Sequence, residues 1–373
     1  MSDFLGVAEA FGEELSRGLR GLSSSLAMKP SRLFWNRRAT TGRAIVLDAG
    51  GTRFRAAVVR WDQSGHQIEG QTEVPMPGTR GPLGCEAFFD AMASALDGLV
   101  EEGLPVGFCF SFPADIQGDR DGRLVQFCKE IQAPEVEGQL VGKELRNALV
   151  RRGLPRVGPM TVLNDTVATL LAGAEVPEAN VWSSGMGLIL GTGTNGCYPE
   201  PDRNGEILNT EWGAFRGFPR TDLDQAFAAQ TQDPEGYWFE KTVAGAYLGP
   251  LCSFAVSRSL GIDLYWSTPE LAQPLALPDG DPIKGVVDAL VERGAGLLAA
   301  VTAAVLWRTG GGMDPSEPVG LVVEGSTFWN LPGFVQRFER QLRFLLQEDR
   351  HRYYRLCQIS QAPYWGSAVA TQW

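Results

Sequence analysis

Two glycine turns, each set between apolar, strand-like runs, constrain this 373-residue chain more than any other feature of it. The first lies in "AIVLDAGGTRFRAAVVRW", residues 44–61, and the second in "GMGLILGTGTNGCY", residues 185–198. Each reads as strand, tight turn, strand. In the second, Gly191, Gly193 and Gly196 spell G-x-G-x-x-G, the dinucleotide-binding fingerprint. That fingerprint requires a helix opening at its second or third glycine, because the helix N-terminus holds the pyrophosphate. Here Gly196 is followed by Cys-Tyr-Pro-Glu, which disfavours a helix, and no strand–acid pair follows at the expected distance. A Walker loop is absent as well. Taken alone, the second turn is a hairpin.

The pair changes that reading. Glycine lets backbone N–H groups approach an anion, and threonine adds a hydroxyl donor. Two such turns in one chain suggest a phosphate gripped from both sides. Arg53 and Arg55 follow the first turn and supply positive charge, and Asp48 at the strand end could hold Mg²⁺ directly or through water. In isolation "LDAGGT" is equally an ordinary hairpin. The net charge of -11 argues against a general nucleic-acid or anionic-membrane binder, so an anionic ligand needs a local site.

Around the turns, strands and helices alternate, which points to an α/β chain with a duplicated plan. The N-terminus spaces Phe11, Leu15, Leu19 and Leu22 as an amphipathic helix packed on the body, and its acidic residues spoil a targeting-peptide reading. "MKPSRLFWNRR" is a basic segment before the first turn. Residues 83–102, 221–261 and 282–308 read as helical, as do "GQLVGKELRNALVRRG", stopped by Gly153, and "GFVQRFERQLRFLLQ". "LPVGFCFSFP", "VGLVVEGS" and "YYRLCQIS" read as strands. "PMTVLNDTVATLLAG" is a strand leading into a helix capped by Asn164 or Asp165. A final helix is expected from "GSAVATQW", and the Pro/Gly-rich 266–282 is expected as a surface loop. No apolar run reaches membrane-spanning length. Six scattered cysteines without C-x-x-C and two histidines, His66 and His351, make zinc unexpected and fit a reducing, cytoplasmic setting.

In order along nearly the whole chain, these segments resemble the hexokinase family, of the glucokinase type, within the actin/Hsp70-like ATPase superfamily. "LDAGGTRFR" resembles its first phosphate motif, "FSFP" (110–113) its sugar-binding strand, and "LNDTVAT" (163–169) its catalytic segment. "GTGTNGCY", "NTEWGAF" (209–215), "FEKTVAGAYLG" (239–249) and "VVEGS" (322–326) resemble four further signatures. The resemblance implies an α/β, two-domain actin-like ATPase (ribonuclease H-like) fold with a ligand cleft between the domains. It implies a small domain at 44–165, with 367–373 allowed to rejoin it, and a large domain at 1–43 and 166–366.

The same resemblance assigns roles. Asp165 would be the base that accepts the sugar hydroxyl proton, its bland alternative being a helix cap. Ser111, Cys128, Lys129, Asn164, Asn195, Glu211 and Glu240 would contact sugar, with surface polarity the alternative, strongest for Glu240 beside Lys241. Asp48, Gly50, Gly51, Thr52, Arg53, Arg55, Gly191, Thr192, Gly193, Gly325 and Ser326 would hold nucleotide, with Asp48 also the metal residue, acting on Mg²⁺ through water. The chain departs from the family pattern at Cys128 (usually threonine), Arg53 (asparagine), Glu324 (aspartate) and Tyr237 (glutamine). The implied reaction is ATP-Mg²⁺ plus a hexose, glucose foremost, to hexose 6-phosphate and ADP, in a monomer or homodimer with no nucleic-acid or membrane partner. A non-catalytic sugar sensor on the same fold is the rival, and intact Asp165 with both turns disfavours it. A ROK-type kinase is disfavoured by the missing cysteine motif, and an actin-like filament protein by the sugar motifs.

Overall fold

The computed structural model describes residues 2–35, 41–62, 65–127, 131–174, 176–347 and 351–373. Numbered along the whole chain, the described residues form thirteen strands and twelve α-helices, distributed over two compact units. The first unit comprises Met1–Met28, Val181–Tyr198 and Thr210–Gln358, and the second Lys29–Asn180, Pro199–Asn209 and Ile359–Trp373.

In the second unit, β2 (Gly42–Ala49), β3 (Arg53–Asp62), β4 (Gly65–Pro75), β5 (Val106–Phe110) and β8 (Met160–Leu163) make one sheet in the order β4-β3-β2-β5-β8. β3 is antiparallel to β2 and β4, whereas β2, β5 and β8 run parallel. β5 is buried at all five positions because both faces of the sheet are covered, so the expected alternation separates two interiors rather than inside from outside. Phe108 and Phe110 join the core that includes α2 (Cys85–Ser94) and α3 (Val141–Arg151). Tyr364 and Ala368 of α12 (Ala362–Ala370) pack on Ala44, Val46, Ala57 and Val59 from the other side. α12 starts earlier than expected, at Ala362 after Gln361 in the left-handed region, because Pro363 suits the first helical turn. It packs against α4 (Asp165–Gly173) with no side chain between them: a Cβ on Gly366 would lie 1.8 Å from the Ala168 carbonyl oxygen. The unit also holds two antiparallel ribbons, of which the sequence reading gives only the strand-like stretch at Glu206–Asn209. One pairs β1 (Lys29–Phe34), inside the basic segment, with β11 (Glu206–Asn209), and the other pairs β6 (Ala114–Ile116) with β7 (Gly122–Leu124).

In the first unit, β9 (Ser184–Leu190), β10 (Thr194–Glu200), β12 (Val319–Glu324) and β13 (Tyr354–Cys357) lie in the order β10-β9-β12-β13. β10 is antiparallel to β9, and β9, β12 and β13 run parallel. That is the order and direction of β3-β2-β5-β8, so the duplicated plan is present in the strands. α9 (Pro282–Thr309) is the core helix, capped by the Asp281 carboxylate on the Ile283 amide at 2.8 Å and closed by Gly310. It is long and apolar enough to cross a membrane by length and composition, contrary to the expectation of no such run, and 78% of its most apolar window is buried inside the protein. Against it pack α1 (Ser2–Leu19), α7 (Leu248–Leu260) and α11 (Phe334–Gln347). α1 buries Val7, Ala8, Phe11 and Leu15, whereas Leu22 is exposed. Short helices α5 (Asp222–Ala228), α6 (Trp238–Val243), α8 (Ala272–Leu275) and α10 (Ser326–Asn330) complete the unit. α8 and a 3₁₀ turn at Pro269–Leu271 occupy the stretch expected as a plain loop.

Gly366→Ala tests the α12–α4 contact. Helix propensity alone would favour alanine by ~1 kcal/mol, but the overlap forces packed elements apart, at roughly 1–3 kcal/mol. Denaturant unfolding should show a lower midpoint. Gly285→Ala in α9, where a Cβ meets nothing within 4 Å, should leave the midpoint unchanged or raise it.

Candidate active site

The second unit's candidates gather at the carboxyl ends of its parallel strands, the place where open α/β sheets bind ligands. In register, Asp48 on β2 faces Arg55 across β3 and Cys109 across β5. Just beyond, the Ser111 amide donates to the Ala49 carbonyl at 3.1 Å. After β8, Asn164 caps α4, its side-chain oxygen accepting from the Thr166 amide at 2.9 Å, which settles the cap in favour of Asn164. Asp165 is then the first residue of the helix, its Oδ1 accepting from the same amide at 2.8 Å and from the Thr166 hydroxyl at 3.3 Å. The carboxylate is thus held in one orientation at the positive end of the helix.

Asp48 is the most perturbed acid here. Its side chain is 13% exposed, and burial, with the Asp165 charge adding to it, pushes its pKa up against the opposing pull of Arg55. The Tyr364 hydroxyl of α12 feels the same place, pushed up to about 12 by burial and the Asp48 charge. The Cys109 thiol is fully buried and raised well above its ordinary value by burial and by Asp48 and Asp165. Among the described residues no three His, Cys, Asp or Glu side chains gather as a metal cage.

The first turn closes with the Gly50 amide donating to the Arg53 carbonyl at 3.0 Å. Neither Gly50 nor Gly51 sits at positive φ, and a Cβ on Gly50 would be in ordinary contact at 3.6 Å. At Gly50 the turn itself therefore does not demand glycine. Thr52 is exposed. Arg53 and Arg55 both bind Glu73, at 3.2 and 2.7 Å, and Arg55 also reaches Asp48 at 3.4 Å. Their charge is therefore already engaged, by an acid on β4 that the sequence reading did not single out.

The second turn is built differently. The Gly191 amide donates to the Gly193 carbonyl at 3.0 Å, and the Gly245 and Ala246 amides donate to Gly191 and Thr192 carbonyls at 2.8 and 2.9 Å. Its glycines answer to neighbours. A Cβ on Gly193 would lie 2.8 Å from a Glu240 carboxylate oxygen, and one on Gly196 2.2 Å from the Trp212 ring. Gly325, at φ +123°, leaves no room for a Cβ either, the Leu190 carbonyl lying 2.2 Å from where it would be. Thr327 donates its hydroxyl to the Gly191 carbonyl at 3.0 Å, and Ser326 is exposed beside it. β10 follows Gly193, so no helix opens at the fingerprint.

The first unit's sugar candidates are joined to that turn. Glu240 accepts from the Thr194 amide at 3.1 Å. Asn195 donates its side-chain amide to Glu211 at 3.2 Å and accepts from the Glu211 backbone amide at 3.1 Å. Glu211 sits at φ +57°, a left-handed conformation that costs a non-glycine residue about 1–3 kcal/mol and that clusters at ligand sites. Tyr237, at φ +51°, begins α6 three residues before Glu240. Lys241, next to Glu240, is buried, its ammonium bonded to the Asp233 carbonyl, so this segment is not a solvated surface. Asn195, Glu211 and Glu240 are thus brought together in one unit, and Asp48, Ser111, Asn164 and Asp165 in the other. Cys128 and Lys129 lie outside the described residues.

Two family models, both described as hexokinase, match residues 2–175 and residues 185–274 and 270–373. The chain is 35% identical to hexokinase-3 of Mus musculus over 265 residues, 64% of this chain and 28% of that one. It is 32% identical to hexokinase-1 of Oryza sativa subsp. japonica over 309 residues, 74% of this chain and 61% of the relative. The matched stretch spans between about a quarter and just under half of the length of the mammalian relatives, 28% of the mouse hexokinase-3 and 44% of the hexokinase-2 of Rattus norvegicus. Among solved structures, a hexokinase from Schistosoma mansoni complexed with glucose superposes with a TM-score of 0.82 at 25% identity, covering 100% of this chain and 95% of that one. A ROK family glucokinase from Streptomyces griseus in complex with glucose and AMPPNP shares the fold at a TM-score of 0.52 and 18% identity, covering 88% and 98%.

Asp48 provides a test in stability. Its folded pKa lies above the ordinary 3.8, so the fold penalises the ionised form. The stability carried by the protonated form is full below the unfolded value and is lost as pH rises through the folded one. In metal-free buffer Asp48→Asn should melt no lower than wild type at pH 7, and the gap should shrink towards pH 4. An Asn variant clearly less stable at pH 7 would mean that Arg55 outweighs burial.

Proposed function

Because the chain belongs to the hexokinase family, we propose that it transfers the terminal phosphoryl group of ATP to the 6-hydroxyl of a hexose, glucose foremost. The products are hexose 6-phosphate and ADP. The observation that carries this reading is the carboxylate pair at the strand ends: Asp165, held in one orientation at the start of α4, lies close enough to buried Asp48 to raise its pKa. Two residues beyond Asp48 begins the glycine turn, whose Gly50 has room for a side chain. The two related structures noted above, one complexed with glucose and the other with glucose and AMPPNP, support the choice of sugar and nucleotide.

In this reading Asp165 accepts the proton of the attacking hydroxyl. A carboxylate base suffices, because phosphoryl transfer passes through a loose transition state and depends on positioning and charge stabilisation. Ser111 and Asn164 flank Asp165 and orient the hydroxyl. Asn195, Glu211 and Glu240 hold the remaining hydroxyls; a carboxylate or amide can bind two adjacent ones. Gly51 and Thr52 offer N–H and hydroxyl donors to phosphate oxygens, with Gly50 closing the turn beside them, and Arg53 and Arg55 lend charge once Glu73 releases them. Gly191, Thr192, Gly193, Gly325 and Ser326 are assigned to the rest of the nucleotide. Asp48 would hold Mg²⁺ with the phosphates, and the ion would supply neutralisation of phosphate charge.

A coupled ADP-release assay with glucose, mannose, fructose and glucosamine tests the proposal. Wild-type protein should turn over at least one hexose and stop when Mg²⁺ is chelated. Asp165→Asn should fold and bind that sugar, with kcat lower by about 10²-fold or more, the usual contribution of a positioned base. Sugar binding without ADP release by wild type would identify a sensor instead. Wild-type turnover by the Asn variant would remove Asp165 from the chemistry.

A further inference from the structure

Helix α1 contributes none of the proposed ligand residues, yet one of its side chains lies at the root of two of them. Phe11 is fully buried, with its ring centroid 4.9 Å from Phe215 and 6.1 Å from Trp212, both edge-to-face. Trp212 and Phe215 each contact Phe239, at 6.3 and 6.0 Å, and Phe218 closes the cluster at 6.0 and 5.9 Å from Phe215 and Phe239. Trp212 is the residue after Glu211, and Phe239 the residue before Glu240. Trp212 also donates its indole N–H to the Thr194 hydroxyl at 3.0 Å, and Thr194 is the residue whose amide holds Glu240. We infer that Phe11 is a positioning residue for hexose binding, fixing Glu211 and Glu240 through Trp212 and Phe239. The inference rests on the proposed hexose reading of these two carboxylates.

The physical case is one of tolerance. Glu211 is held in a left-handed backbone conformation, and Gly196 is bare so that the Trp212 ring can pass over it. A close-packed interior does not deform gradually, so a ring removed at the centre of such a cluster lets its neighbours shift as a group. Rings packed edge-to-face also specify geometry more sharply than aliphatic contacts. A few tenths of an ångström at Trp212 reaches Glu211 through one peptide unit.

Two substitutions on the same helix separate positioning from stability. Phe11→Leu removes the ring; Leu15→Ala removes another buried side chain, on the face lining the groove of α1 and α9. Both should lower the melting temperature. Only Phe11→Leu should weaken glucose binding, read by intrinsic tryptophan fluorescence, and raise the hexose KM, each by about two- to tenfold, the scale of one misaligned hydrogen bond. The KM for ATP should stay within twofold. Should Phe11→Leu fail to fold, Phe215→Leu removes the ring packed on Phe11 and is expected to behave the same way. Unchanged glucose affinity in a folded variant, or an equal change in Leu15→Ala, overturns the inference alone. Wild-type protein that binds none of the four sugars overturns the functional reading and this inference with it.

Discussion

A buried carboxylate at the end of a central strand is the constraint around which the second unit is organised. Asp48 cannot leave: it continues β2, whose preceding residues Ile45, Val46 and Leu47 are wholly inside the core. Removing its charge from water costs free energy, and Asp165 nearby adds to the cost. Arg55 offsets part of it, and Glu73 in turn holds Arg55 and Arg53. The surroundings are consistent with the same cost, since Tyr364 and Cys109, the other titratable groups at this place, are both pushed towards their neutral forms. Asp48, an acid that the fold destabilises when ionised, is poised to welcome a cation or a proton.

The two glycine turns look alike in sequence and differ in physics. In "GTGTNG" two of the three glycines are required by what the chain itself places nearby, the Glu240 carboxylate at Gly193 and the Trp212 ring at Gly196, whereas a Cβ on Gly191 would meet only an ordinary contact at 3.6 Å. In "DAGGT" the chain makes no such demand at Gly50. A spelled-out G-x-G-x-x-G can therefore arise wherever a hairpin passes close to bulky side chains. What distinguishes it from the dinucleotide motif is the strand that follows it, and the Cys-Tyr-Pro continuation already carried that information.

Much of the fold was legible because long periodic segments carry their own signals. α9 and α11, the two turn-linked strand pairs and the cap at Asn164 follow from apolar spacing and cap chemistry. The β1–β11 ribbon was not legible. Lys29–Phe34 is short and carries two cations, and its strand character comes from pairing with residues 206–209, far along the chain. α12 was started late because a rule that weights Pro363 as a breaker ignores that proline is welcome in a first helical turn. At the site, the motif residues were found from sequence, but Glu73, Thr327 and Phe11 were not. None lies in a motif, and each acts through a contact that only folding creates.

The repeated strand order has a further consequence for how the two units are specialised. In β3-β2-β5-β8 a strand end presents Asp48, whose ionised form burial disfavours, suited to exchanging a proton or a cation. In β10-β9-β12-β13 the corresponding turn is tied to acids oriented by amides, Glu211 by Asn195 and Glu240 by Thr194. An amide donor orients a carboxylate without cancelling its charge, so the acid keeps its strength as a hydrogen-bond acceptor for neutral hydroxyl groups. On the proposed function, the same backbone plan would serve chemistry in one unit and recognition in the other. The difference lies in what surrounds each acid, a neighbouring carboxylate for Asp48 and a backbone or side-chain amide for Glu240 and Glu211, rather than in the strands that carry them.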